Sequence, residues 1–421
     1  MDSFDIVGGS RLKGAIPISG SKNSALPIMA ACILVDGETV LHNVPDLADV
    51  RLMQQLLNRL GVKSERDSSG AMRIRVEDEM NAHAEYELVS KMRASVCVMG
   101  PLLAKRRRAQ VSMPGGCAIG DRPINLHVEG LRALGADFDL INGDVLLKSK
   151  KLRGGDVFLG GPFGSSVTAT ANVMMAATLA EGRTVIESAA CEPELTDLAN
   201  FLNACGARIT GQGTPQVVID GVAALKGAEH RVIPDRIEAG TFMMAAAITN
   251  GDLELVGAKI EHLRAVVDRL RQVGVIIEKA ENGISVSSAR RLEPVEITTQ
   301  PYPGFPTDLQ AQAMALLALA DGNSIITEKV FPDRYLHVGE LTRMGAHLRK
   351  EGPTVIISGV KKLVGAPVMA SDLRASAALI VAALVAKGTT RVQRIYHIDR
   401  GYEHIESKLS AVGATIRRIS E

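Results

Sequence analysis

Leu57-Asn58-Arg59-Leu60-Gly61 closes an amphipathic stretch, and the same closing pattern returns at Leu131-Arg132-Ala133-Leu134-Gly135, Leu202-Asn203-Ala204-Cys205-Gly206, Leu270-Arg271-Gln272-Val273-Gly274, Leu341-Thr342-Arg343-Met344-Gly345 and Leu409-Ser410-Ala411-Val412-Gly413. Successive glycines lie 74, 71, 68, 71 and 68 residues apart, so six units fill a chain of 421 residues. A period this far above the roughly 20 to 50 residues of solenoid repeats points to duplicated subdomains, each large enough to hold helices and strands together.

A second glycine, at Gly37, Gly182, Gly251, Gly322 and Gly388, precedes five of these by 23 to 25 residues and follows an apolar stretch, as a helix-stopping residue does. Each unit therefore predicts an apolar helix, a glycine stop, a β-branched strand such as Thr184-Val185-Ile186, an amphipathic helix, a second glycine stop and one or two further strands. These are α/β units. The second unit departs from the pattern: near position 111 the chain runs Lys105-Arg106-Arg107-Arg108 and then Met113-Pro114-Gly115-Gly116-Cys117-Ala118-Ile119-Gly120-Asp121-Arg122-Pro123. A departure confined to one copy is where function is to be sought. Polar residues open the apolar helices at matching offsets from the glycine stop: Lys22, Arg236, Asp308 and Arg374, with Arg93 and the Ser166 to Thr168 segment in the corresponding places. Basic residues there oppose the helix dipole, so as a set they predict anion binding.

The length predicts two domains. Lys plus Arg number 48 against 47 Asp plus Glu, and there is no tryptophan, a balance that argues against a nucleic-acid binder. The longest apolar runs, Ala25 to Val35 and Ala377 to Ala386, are too short for a membrane span and predict core helices. The acidic start Met1-Asp2-Ser3-Phe4-Asp5 has no secretory pattern, and five cysteines without a CxxC pair predict a reducing, cytoplasmic setting. No P-loop, GxGxxG turn, HExxH or EF-hand pattern occurs, so neither triphosphate hydrolysis nor a metal is predicted. His397 and Asp399 read as alternating strand residues with a structural role, and the Lys105 to Arg108 run as a solvated hairpin tip. Cys32, Cys97, Cys191 and Cys205 read as buried structural thiols.

Seven motifs in order carry a resemblance over the whole chain: Gly20-Ser21-Lys22-Asn23-Ser24-Ala25-Leu26-Pro27, Lys91-Met92-Arg93-Ala94-Ser95, the segment Pro114 to Pro123 quoted above, Pro234-Asp235-Arg236-Ile237-Glu238-Ala239-Gly240-Thr241, Phe305-Pro306-Thr307-Asp308-Leu309-Gln310, Asp372-Leu373-Arg374-Ala375-Ser376 and Tyr396-His397-Ile398-Asp399-Arg400-Gly401-Tyr402. Together they resemble the motifs of the UDP-N-acetylglucosamine 1-carboxyvinyltransferase family, within the enolpyruvyl transferase superfamily. The resemblance implies a two-domain inside-out α/β barrel built from six βαβαββ repeats, with the active site in the interdomain cleft. It places residues 22–232 in an N-terminal domain and residues 1–21 plus 233–421 in a C-terminal domain. The implied reaction moves the enolpyruvyl group of phosphoenolpyruvate to the 3'-hydroxyl of UDP-N-acetylglucosamine, releasing phosphate through a tetrahedral intermediate, as the first committed step of peptidoglycan synthesis. No cofactor is implied, and the enzyme is expected to be a monomer.

Both substrates are polyanions, and anions withdrawn from water need fixed cations. The resemblance implies that Lys22, Arg122 and Arg400 hold phosphoenolpyruvate, that Arg93, Arg334 and Arg374 line the same cleft, and that Asn23, Ser166, Asp308 and Val330 contact the nucleotide sugar. Addition also needs a base for the hydroxyl proton and an acid for the methylene carbon. Asp308 is the implied base, with a helix cap as its alternative role, and Cys117 is the implied acid in a glycine-hinged loop. An arginine beside that thiol favours the thiolate. Cys117 is therefore also expected to act as a nucleophile, in keeping with the family's pyruvate adduct and its alkylation by fosfomycin. Thr168 stands where the family commonly has glycine, which puts close approach of the diphosphate in question. The sister enzyme acting on shikimate 3-phosphate and a non-catalytic nucleotide-sugar-binding paralogue are the competing readings.

Overall fold

The computed structural model describes residues 2–113, 124–288 and 291–420. The repeat is plainest where strand Asp156–Phe158, helix Val167–Ala177, strand Arg183–Glu187, helix Pro193–Ala204 and strands Arg208–Thr210 and Gln216–Asp220 follow one another. Thr184 and Ile186 are buried while their neighbours are less so, the alternation of a strand with one covered face. Val167–Ala177 is mostly apolar and buried from Ala169 onward, as an interior helix must be. The first strand pairs parallel with the second, the second antiparallel with the last, and the last antiparallel with the third. The βαβαββ order and this pairing scheme combine one parallel crossover through a helix with one closing hairpin.

Six four-stranded sheets repeat the arrangement, three in each of two compact units. The N-terminal unit comprises residues 20–113 and 124–233, and the C-terminal unit residues 2–19, 234–288 and 291–420. Chain ends complete sheets begun elsewhere. Ser3–Val7 lies between Thr389–Gln393 and Thr415–Ile419, and Lys13–Pro17 runs parallel to Asp252–Val256, so the N-terminal strands belong to the C-terminal unit. Glu229–Arg231 likewise joins Glu38–His42 in the N-terminal unit.

Each unit owns a separate hydrophobic core. In the C-terminal unit, helices Arg236–Ile248, Gln310–Leu317 and Leu373–Ala383 pack on one another and are buried almost throughout. Among the described residues, no helix is long and apolar enough to cross a membrane.

All six glycines of the closing pattern adopt positive φ, between 75° and 103°. Gly274 shows why: its left-handed turn lets the Val275 N–H reach the Leu270 carbonyl at 3.0 Å and seal the helix end. The upstream set differs from the sequence expectation. Those glycines lie in the turn that enters the next strand, several residues past the helix: Val167–Ala177 ends well before Gly182, and Leu373–Ala383 well before Gly388. In one copy the left-handed residue is Asn250 (φ 49°), while Gly251 is required because a Cβ there would lie 2.7 Å from the Leu12 carbonyl oxygen. In the irregular second unit Arg107 (φ 58°) takes the left-handed position.

The basic run is likewise corrected from the solvated tip expected. It spans the end of helix Met99–Arg106 and the start of strand Arg108–Ser112. Lys105 pairs with Asp36 at 2.5 Å, and Arg106 donates to the carbonyls of Leu60, Asn81 and Asp78. Carbonyls left open in neighbouring loops give half the run a structural task.

Candidate functional site

In the N-terminal unit, Lys22 is the first residue of helix Lys22–Ala31, and its ammonium group lies 3.2 Å from Asp49, whose carboxylate is buried at the start of helix Ala48–Arg59. Ser21, in the N-cap position, makes no side-chain cap bond. The helix start is instead anchored one residue past Asn23, where the Ser24 hydroxyl donates to Asp197 at 2.5 Å. Asp197 also accepts from the Ile233 N–H at 3.2 Å and meets His230 at 3.0 Å, while Ser21 N–H donates to the Ile233 carbonyl at 2.7 Å. One buried carboxylate thus gathers the Lys22 helix, the strand Glu229–Arg231 and the segment after it.

Arg93 opens a 3-10 turn, Arg93–Val98, rather than an α-helix, and Arg93, Asn23 and Ser166 are each half-buried. Ser166 caps Val167–Ala177, accepting from the Ala169 N–H at 3.3 Å. The Thr168 hydroxyl is turned toward a partner in its own unit. It lies 3.1 Å from His127 Nε2; His127 Nδ1 faces the Asn172 amide nitrogen at 2.9 Å, and Asn172 Oδ1 accepts from the Gly100 N–H. Cys117 and Arg122, with the loop 114–123, lie outside the described residues.

The C-terminal unit gathers the other candidates around Asp308. Asp308 lies within the 3-10 turn Thr307–Leu309, one residue past its start, while Pro306 holds the N-cap position. Arg334 Nη1 donates to one carboxylate oxygen at 2.9 Å and Arg374 Nη2 to the other at 3.3 Å. Both guanidinium groups are nearly buried, with side-chain exposures of 8% and 3%, whereas Asp308 is 27% exposed. The acid is therefore the open end of a buried charge cluster. Burial alone would lower the Arg374 pKa; the negative charge of Asp308, with Tyr402 and Asp235, outweighs it and the value is raised.

Arg374 lies over the Tyr402 ring at 5.4 Å. Its Nη1 is buried without a hydrogen-bonded acceptor among the described residues, a donor suited to an incoming anion. Gln312 donates to the Asp308 carbonyl at 3.1 Å, to Thr241 at 3.1 Å and to the Tyr402 hydroxyl at 3.2 Å, so Thr241, Gln312 and Tyr402 support the cluster from below. Tyr402 and Thr241 stand inside motifs quoted from the sequence; Gln312 carries no such signal, being one polar residue in an apolar helix.

Arg400 ends the 3-10 turn Ile395–Arg400, half-buried. Burial and then the charge of Arg400 lower the pKa of His397, so that imidazole is neutral at pH 7. The same turn corrects the strand expected for His397 and Asp399: Asp399 pairs with Arg418 at 2.6 Å. Val330 is fixed by its N–H, which donates to Glu328 at 2.8 Å.

The helix starts are not satisfied alike. Asp235 and Asp372 cap Arg236–Ile248 and Leu373–Ala383, each accepting two first-turn N–H groups, so in those helices the anion at the N-terminus is the protein's own. Burial raises the thiol pKa of Cys97 and Cys205, each to about 12, as expected of structural cysteines; Cys191 is half-buried. Among the described residues, no group of three or more His, Cys, Asp or Glu side chains could hold a metal ion.

Residues 6–409 match the family model of EPSP synthase (3-phosphoshikimate 1-carboxyvinyltransferase). The chain belongs to this family of carboxyvinyltransferases. Within it, the chain is 53% identical over 419 residues to the UDP-N-acetylglucosamine 1-carboxyvinyltransferase of Methylacidiphilum infernorum, covering 100% of this chain and 99% of that one. It is 51% identical over 420 residues to the protein of the same name from Myxococcus xanthus, covering 99% of each. Among solved structures it resembles the enolpyruvyl transferase NikO from Streptomyces tendae, with a TM-score of 0.90 at 24% identity over 100% of this chain and 99% of that chain. An EPSP synthase from Acinetobacter baumannii gives 0.77 at 20% identity over the whole of both chains. These two likenesses show the α/β fold shared with the enolpyruvyl transferases.

Proposed function

We propose that the protein transfers the enolpyruvyl group of phosphoenolpyruvate to the 3'-hydroxyl of UDP-N-acetylglucosamine, releasing phosphate by addition and elimination in the service of peptidoglycan synthesis. The observation that carries this reading is the 53% identity, end to end, with a transferase named for that acceptor. Asp308, oriented by Arg334 and Arg374, takes the proton from the attacking hydroxyl. Lys22, Arg122 and Arg400 bind the carboxylate and phosphate of phosphoenolpyruvate, with Arg93 and Arg374 adding charge against the developing anion. Asn23, Ser166 and Val330 contact the nucleotide sugar. Cys117 delivers the proton to the methylene carbon and, as the thiolate, forms the covalent adducts expected of it. The enzyme acts as a cytoplasmic monomer.

The test of these assignments is covalent labelling. Fosfomycin, given with UDP-N-acetylglucosamine, should add its mass to the peptide carrying Cys117 and to no peptide carrying Cys32, Cys97, Cys191 or Cys205. An unlabelled Cys117 would remove it from the site.

A further inference from the structure

Glu328 follows strand Asn323–Thr327 and is fully buried, and its carboxylate is bonded to the segments that carry Val330 and Asp308. One oxygen accepts from the Val330 N–H at 2.8 Å, the Phe331 N–H at 2.9 Å and the Thr299 hydroxyl at 2.6 Å. The other accepts from the Thr307 hydroxyl at 2.8 Å. A carboxylate only accepts, so Thr307 must be the donor in that bond and its own lone pairs face elsewhere. They face Arg334, whose Nη1 lies 3.0 Å from Thr307 Oγ1 and 2.9 Å from Asp308 Oδ1.

We propose that Glu328 is a positioning residue for the transfer reaction: by setting the direction of the Thr307 hydrogen bond it aims Arg334 at Asp308, and by holding the N–H groups of Val330 and Phe331 it fixes the loop that carries Arg334. This rests on the reading of Asp308 as the base. A glutamine at 328 has the same shape but presents an NH2 group to one of these partners. Turned toward Thr307, that group reverses the bond, and the hydroxyl can no longer accept freely from Arg334; turned the other way, it confronts two backbone donors. Either arrangement displaces the guanidinium from Asp308.

The experiment is steady-state kinetics on the full chain with phosphoenolpyruvate and UDP-N-acetylglucosamine, using Glu328→Gln, Thr307→Val, their double variant and Thr307→Ser, with Tm recorded for each. Displacing a catalytic group by a fraction of an ångström should lower kcat about tenfold in Glu328→Gln and in Thr307→Val, with KM for the nucleotide sugar within about twofold of wild type. The double variant should be no slower than the worse single one, because both break one chain of contacts. Thr307→Ser, which keeps the hydroxyl, should restore kcat to within about twofold. A purely structural Glu328 would lower Tm while leaving kcat of the folded enzyme unchanged, and that result, or multiplicative losses in the double variant, overturns the proposal. Asp308→Asn run alongside separates the two readings: near-normal turnover there removes the base itself, whereas lost turnover there with an unchanged Glu328→Gln removes only the role of Glu328.

Discussion

The two units share one repeat but secure their charged groups in opposite ways. In the N-terminal unit a cation, Lys22, opens a helix that has no side-chain cap, and a carboxylate on another helix, Asp197, reaches across to hold the first turn through Ser24. In the C-terminal unit the helices Arg236–Ile248 and Leu373–Ala383 cap themselves with Asp235 and Asp372, and the half-buried acid, Asp308, sits instead on a short 3-10 turn clamped by two buried arginines. A duplicated fold therefore supplies equivalent places, while local capping decides which helix starts are closed by the protein's own carboxylate.

The hardest test of this contrast removes the clamped acid. Asp308→Asn keeps the size but cannot take a proton, so turnover should fall about a hundredfold or more with the fold intact, as measured by phosphate release and circular dichroism. Activity close to wild type would leave Asp308 a mere counter-ion for Arg334 and Arg374.

A second test asks whether the C-terminal unit also has a distinctive acid response. His337 is buried; burial first, and then the charge of Arg334, depress its pKa to about 4, with Asp372 opposing. The folded state thus prefers neutral imidazole. Its contribution to stability is complete above about pH 6.5, where the unfolded group is also neutral, and is lost as pH falls toward 4 because the unfolded chain takes up the proton first. The shift corresponds to roughly 3 kcal/mol, so denaturant melts of wild type and His337→Gln should diverge in pH slope between about 6.5 and 4 and run parallel above it. Parallel slopes throughout would show that His337 is not the group responsible.

A third test bears on the N-terminal unit. Asp197→Ala should release the Lys22 turn and lower kcat/KM about tenfold, whereas Asp197→Asn, which still accepts from Ser24 and Ile233, should retain most activity. Equal losses in both variants would mean that the charge and not the hydrogen bonding of Asp197 matters. The smallest effect is expected at Asp235: losing this helix cap in Asp235→Ala should cost about 1 kcal/mol of stability, seen as a lower Tm with kcat changed less than in Asp197→Ala.

The repeat was legible because its closing glycines must adopt positive φ, a requirement that only a few residue types meet cheaply. Where another residue accepts the strain, as Arg107 does, the spacing alone misplaces the turn. Lys22, Asp308, Arg334 and Arg374 could be nominated from motifs, since reactive chemistry demands particular side chains. Their supports could not. Glu328, Asp197 and Gln312 act through hydrogen bonds to residues 21 to 173 positions away or to backbone groups, and such partnerships leave no periodicity to read. The strand expected for His397 and Asp399 failed for the same reason, although the structural role expected of Asp399 agrees with its pair: the 3-10 turn and the distant Arg418 decide what it does.

The central claim concerns the acceptor, and the most direct measurement is phosphate release from phosphoenolpyruvate by the purified protein with each acceptor in turn. UDP-N-acetylglucosamine should support turnover and shikimate 3-phosphate should not. Turnover with shikimate 3-phosphate alone would contradict the account, since the fold and the phosphoenolpyruvate chemistry would stand while the assignment of the nucleotide sugar would fall.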